Sequence, residues 1–92
     1  MDDRRDRRFA CVPDVVWKDV DGEVVLVHLE TNRIYELNRT GARLWTLLNE
    51  GRSVEEAEKI LTEEFAVDDQ TAHTETAALL EDLLRQQLVE EL

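Results

Sequence analysis

Ninety-two residues give room for one domain around one modest core, which excludes an enzyme pocket built between two lobes. A hydrophobic fraction of 42% with one Pro and three Gly marks a chain that folds. A formal charge of −11 sets it against nucleic-acid phosphates and anionic membranes, and favours neutral or basic peptides and proteins as partners.

At the N-terminus, Arg4, Arg5, Arg7 and Arg8 alternate with Asp2, Asp3 and Asp6, and only Phe9 is available to bury. Residues 1–11 therefore read as a mobile lead-in, ahead of a single domain over 12–92. Beyond Arg8, seven basic residues stand against nineteen acidic ones. Cys11 is the single cysteine, so no disulfide forms within the chain, which suits a reducing cytosol. There is no signal-peptide core, and no apolar run reaches the roughly 18 residues of a membrane span. A cytoplasmic location is expected.

Pro13 suits the first positions of a strand, and residues 15–19 (Val-Val-Trp-Lys-Asp) read as the first strand of a sheet. Asp21-Gly22 marks a tight hairpin turn. Residues 24–29 form an apolar, β-branched second strand. Thr31-Asn32 turns the chain into a third, Arg33-Ile34-Tyr35-Glu36-Leu37. Side chains alternate along it, so Tyr35 and Leu37 share the core face while Ile34 and Glu36 point the other way.

From Asn38 the period changes to about 3.6 residues. Asn38 is a good N-cap; Leu44, Trp45, Leu47 and Leu48 form an apolar stripe, and Gly51 can end the helix. Gly41, costly inside a helix, permits close approach to a strand. Ser53-Val54-Glu55-Glu56 has capping-box spacing and opens a second helix through Phe65, burying Ala57, Ile60, Leu61 and Phe65. Asp68 caps a third helix running to about Gln87, with Leu79, Leu80, Leu83 and Leu84 on a wide apolar stripe. Leu88-Val89 closes the chain. The fold class is α+β and winged-helix-like: a three-stranded antiparallel sheet followed by three helices.

Chemistry-bearing constellations are missing. His28 on a strand and His73 on a helix have neither metal-motif spacing nor a second cysteine, and isolated histidines are seldom ligands. Cys11 lies at an end where nucleophile geometry is hard to hold. Glu55, Glu56, Glu58, Glu63 and Glu64 make a solvated helix face, and no phosphate loop exists. No cofactor or metal is called for. Trp17, Tyr35 and Trp45 read first as core anchors, Trp45 most clearly. The last helix is more apolar between Ala77 and Leu84 than one small sheet covers, so part of its stripe is available to a groove.

The run Arg33-Ile34-Tyr35-Glu36-Leu37-Asn38, then Gly41, Leu44-Trp45, Gly51-Arg52-Ser53-Val54-Glu55-Glu56 and an acid-capped leucine helix, resembles the PqqD-like family of precursor-peptide recognition elements. The resemblance covers nearly everything after Val12. It implies a non-catalytic domain whose third strand accepts the leader of a ribosomally synthesised precursor as an added antiparallel strand. The matching strand is Arg33, Ile34, Tyr35, Glu36 and Leu37, and the matching helix face includes Thr76, Leu80, Leu83 and Leu84. It further implies a leader peptidase and a cyclase, or another modifying enzyme, as partners, in lasso-peptide or pyrroloquinoline quinone biosynthesis, with the lasso setting preferred. One departure stands out: where the family often has Gly before its last Leu-Val pair, this chain has Gln86-Gln87.

The strand-addition reading also has an independent physical case. An open strand edge gives sequence-tolerant affinity, and Glu36, Glu75, Glu81 and Asp82 would steer a basic leader. Two other functions fit the fold: a winged-helix DNA-binding regulator and an adaptor binding a folded subunit. The first needs a basic recognition helix, whereas the second helix offers only Lys59 and the third only Arg85.

Overall fold

The computed structural model describes residues 7–92. The chain runs β1 (Phe9–Cys11), β2 (Val15–Val20), β3 (Glu23–His28), β4 (Arg33–Leu37), α1 (Arg39–Asn49), α2 (Val54–Phe65), α3 (Asp69–Arg85) and β5 (Val89–Glu91). The three-stranded antiparallel sheet β2-β3-β4 is followed by three helices, as the sequence predicts, and a two-stranded β1-β5 ribbon is added to it.

The meander follows from its turns. Val20 pairs with Glu23 across Asp21 (φ 55°) and Gly22 (φ 86°), and this double positive φ matches the right-handed twist of the flanking strands. The Asp19 carboxylate accepts from the Gly22 N–H at 3.0 Å and fixes the turn further. Register Trp17↔Leu26↔Tyr35 puts those three side chains on the inner face. Val16↔Val27↔Ile34 forms a row on the outer face.

The helices begin and end at their caps. Asn38 Oδ1 accepts from the Gly41 N–H at 2.9 Å. Ser53 and Glu56 complete a reciprocal capping box, and Asp68 accepts from the Thr71 N–H at 2.7 Å. After α1, Gly51 (φ 95°) sends its N–H to the Leu48 carbonyl and Arg52 to that of Leu47. The α3 terminus repeats this arrangement without glycine: Gln87 (φ 60°) bonds to Leu84 O and Leu88 to Leu83 O. Despite the departure at Gln86-Gln87, a left-handed residue ends the helix here too, and it is a glutamine, at the steric cost of its Cβ.

The core is the inner face of the sheet with α1 across it. Trp45, Leu44, Leu47, Leu48, Val24, Leu26 and Leu83 are almost fully buried, and Trp17 meets Trp45 edge-to-face with centroids 6.0 Å apart.

Phe9 belongs to this core with no exposed surface, which corrects the lead-in expected over 1–11. Phe9, Ala10 and Cys11 pair with Glu91, Glu90 and Val89. The Arg7 guanidinium lies 5.0 Å from the Phe9 ring centre and forks onto Glu91 at 2.9 and 3.1 Å. The Arg8 guanidinium donates to the Gly51 carbonyl. The charge alternation hid this strand because its partner lies some eighty residues away, where no local signal reaches. Residues 1–6 of the expected lead-in lie outside the described residues.

Candidate functional site

Among the described residues, β4 has a strand on one side only. Which of its backbone groups are free follows from the ladder. The Leu29 N–H donates to the Asp14 carbonyl at 2.8 Å, one step beyond the Val15↔His28 pair. Hydrogen-bonding direction alternates along an antiparallel strand, so His28 turns its N–H and C=O the other way, towards β4. Its carbonyl accordingly accepts from Asn32 N–H at 2.8 Å. Since His28 pairs with Arg33, the backbone groups of Arg33, Tyr35 and Leu37 bond to β3, and those of Ile34 and Glu36 point out from the open edge.

Beside this edge lies a groove of about 420 Å³. Its near wall is Glu36, Leu37 and Asn38, its floor Gly41, Leu44, Leu61 and Phe65, and its far wall Ala72, Glu75, Thr76, Leu79 and Asp82 of α3. Gly41 keeps the floor low: a Cβ there would stand 3.3 Å from Leu79 Cδ2 and 3.5 Å from Leu37 Cβ. At one end the Tyr35 hydroxyl and the Gln86 side-chain oxygen meet at 3.1 Å and bridge strand to helix. β4 therefore runs opposite to α3, with Tyr35 level with the end of the helix and Leu37 beside Leu79.

The residues expected at the site divide accordingly. Ile34 is 68% exposed on the outer face of the edge, Arg33 and Glu36 are exposed, Tyr35 is half-buried, and Leu37 and Thr76 are buried where they reach the groove. Leu80 and Leu83 point into the core instead, at 6% and 1% exposure, and Leu84 lies exposed outside the groove. The helical face is thus corrected by about one residue position, since successive residues turn by about 100°. Glu75, Leu79, Asp82 and Gln86, spaced 4, 3 and 4 apart, form the stripe beside the groove; the sequence offers Leu79 for the apolar stripe and Glu75 and Asp82 for steering a leader, without setting them on one face. The stripe mixes acids, an amide and one leucine, so no hydrophobic period marks it; its signal is its angular distance from the leucine stripe.

Elsewhere the potentially reactive groups are occupied. Burial and then the nearby Glu90 push the Cys11 thiol up, and its Sγ lies 3.3 Å from the Val12 carbonyl. His28 Nδ1 accepts from the Glu30 N–H at 3.3 Å, and His73 lies against Glu58 at 3.2 Å. Among the described residues no group of three or more His, Cys, Asp or Glu converges as a metal site would require.

The family model of coenzyme PQQ synthesis protein D (PqqD) matches residues 23–89, from β3 to the start of β5. A solved structure described as TbiB1 in complex with the TbiA(beta) leader peptide superposes with a TM-score of 0.83 at 34% identity, covering 88% of this chain and 94% of that one. A second, described as lasso peptide synthetase B1 complexed with the leader peptide, gives 0.83 at 25% identity, with 90% and 98% covered. No curated protein matches the chain.

Proposed function

The chain belongs to the PqqD family, and from that premise we propose that it binds the leader of a ribosomally synthesised precursor peptide as a fourth strand on β4. The single observation that carries this reading is the open Ile34/Glu36 edge, with a groove between the end of β4 and α3 beside it. In an antiparallel addition, leader residues opposite Ile34 and Glu36 exchange backbone bonds with them. Residues opposite Tyr35 and Leu37 turn their side chains into the groove. Both solved relatives hold a leader peptide.

The role is recognition and presentation without chemistry, serving a leader peptidase and cyclase of lasso-peptide biosynthesis in the cytoplasm. Nothing in the groove supplies a nucleophile with a paired base. No helix among the described residues is long and apolar enough to cross a membrane. The DNA-binding reading lacks a basic surface, because Arg85 of α3 is engaged by Glu81 at 3.0 Å and Asp82 at 3.5 Å.

The test is an amide chemical-shift titration of the labelled protein with a synthetic peptide spanning the leader of a short precursor encoded beside its gene. Saturable shifts concentrated on Arg33–Leu37 and on Glu75, Leu79 and Asp82 are expected. A folded protein without shifts at millimolar peptide would turn the reading to an adaptor.

A further inference from the structure

We infer that the groove selects its leader by charge: it takes a segment whose core reads apolar, basic, basic, apolar, opposite Leu37, Glu36, Tyr35 and Ile34 in that order. The inference rests on strand addition at β4 and specifies the sequence class so bound.

The order follows from the register. In an antiparallel pairing the leader residue opposite Leu37 comes first, and its side chain enters the groove over the apolar floor beside Leu79 and Gly41. The next residue lies opposite Glu36 on the outer face, where directly opposed side chains interact. Glu36 is in no hydrogen bond or ion pair among the described residues. Along the outer-face row that Glu36 shares, Val25 comes next and Lys18 only after it, so a whole strand separates those two charges. The third residue turns inward again opposite Tyr35. It meets Asp82, which lines the groove one helical turn before the Gln86 that touches the Tyr35 hydroxyl. The fourth, opposite Ile34, extends the outer row Val16-Val27-Ile34, where an apolar side chain is matched.

The arginines around the groove do not neutralise it. Arg43 is forked onto Glu64 at 2.9 Å, and Arg39 reaches back to the β2-β3 turn, its Nε 3.7 Å from the Cβ position of Gly22. Arg85 is shared between Asp82 and Glu81, all three well exposed, so an incoming cation competes with it on equal terms. An acidic leader would place its charges against Glu36, which has no ion-pair partner among the described residues, and against Asp82, whose partner Arg85 is already shared with Glu81; like charges opposed across strands are destabilising.

The experiment pans a display library of short random peptides against the full chain, then measures recovered peptides by fluorescence anisotropy against wild type, Ile34→Pro and the double variant Glu36→Lys/Asp82→Lys. The expected result is enrichment of adjacent Lys or Arg residues flanked by apolar ones. Each basic residue replaced by Gln should weaken binding roughly two- to fivefold. Raising salt from ~0.05 to ~0.5 M should weaken it roughly three- to tenfold, and panning on the double variant should recover acidic pairs. Peptides lost with Ile34→Pro but carrying no basic enrichment would overturn the charge rule and leave strand addition standing. Peptides indifferent to Ile34→Pro would overturn both, as would a library from which the folded protein retains nothing.

Discussion

Replacing Ile34 by proline separates binding from folding because of the way β4 hydrogen-bonds. The Ile34 N–H points away from β3, so its loss breaks no bond within the sheet, and the side chain is already 68% exposed. Proline is tolerated on an edge strand in this orientation, and Arg33 before it is already extended, as the ring demands. We expect Ile34→Pro to melt within about 4 °C of wild type, a change of less than about 1 kcal/mol. Leader binding should fall much further. One backbone bond is lost and the leader carbonyl faces a ring where a donor stood, together about 2 kcal/mol or roughly thirtyfold in Kd. The matching control is Tyr35→Pro, one residue on. It removes a ladder bond to β3, half-buried aromatic surface and the contact with Gln86, about 3 kcal/mol or more, and lowers the melting temperature by more than about 10 °C. Thermal melts by circular dichroism and anisotropy with a labelled leader measure both quantities. If Ile34→Pro melts as low as Tyr35→Pro, the assignment of free and bonded amides is wrong. If it binds as tightly as wild type, β4 is not where the leader pairs.

Further outcomes follow from the groove and the caps. Leu79→Ala should weaken leader binding roughly fivefold, about 1 kcal/mol, with a small effect on the melt because Leu79 is only half-buried; Gly41→Ala should also weaken binding while leaving the fold intact, since Leu79 Cδ2 can yield the few tenths of an ångström required. Gln87→Gly should raise stability by about 0.5–1 kcal/mol in denaturant titration, because Gln87 occupies φ 60° at the end of α3. The Arg7 guanidinium, hydrogen-bonded to Glu91, holds that carboxyl below the usual carboxylate range. A depressed folded-state pKa adds stability that is present above the unfolded value and lost as pH falls through the folded one. The difference in melting temperature between wild type and Glu91→Gln should therefore be open at neutral pH and close under acid; a constant difference would show that the Arg7–Glu91 pair does not titrate with folding.

Most of the architecture was legible because its signals are local. Asp21-Gly22 dictates a two-residue hairpin, and Ser53 with Glu56 fixes the start of α2 whatever lies elsewhere in the chain. The β1-β5 ribbon was not legible, since Phe9 gains its partner from residues at the other end and its flanks look like a solvated charge run. The site was half legible. Alternation along β4 correctly separated Tyr35 and Leu37 from Ile34 and Glu36, but the α3 face depended on rotation about the helix axis. Leucine content pointed to Leu80 and Leu83, which the core had already claimed. The residue facing the groove from that run is Leu79, set by where Tyr35 meets Gln86.

An exposed strand edge is a hazard, because any second chain can pair with it. Here the hazard is contained by the same features that define the site. Arg33 and Glu36 put charge at the edge, and two copies approaching through β4 would bring the acids Glu36, Glu75 and Asp82 of each against the other. With −11 charges on 92 residues, such an encounter is repelled well before backbone bonds form. A basic, extended segment meets the opposite field and finds unpaired N–H and C=O groups at Ile34 and Glu36. On the proposed reading, the acidity that disfavours nucleic acid would also disfavour pairing of β4 with a second copy, leaving the edge to a strand of complementary charge.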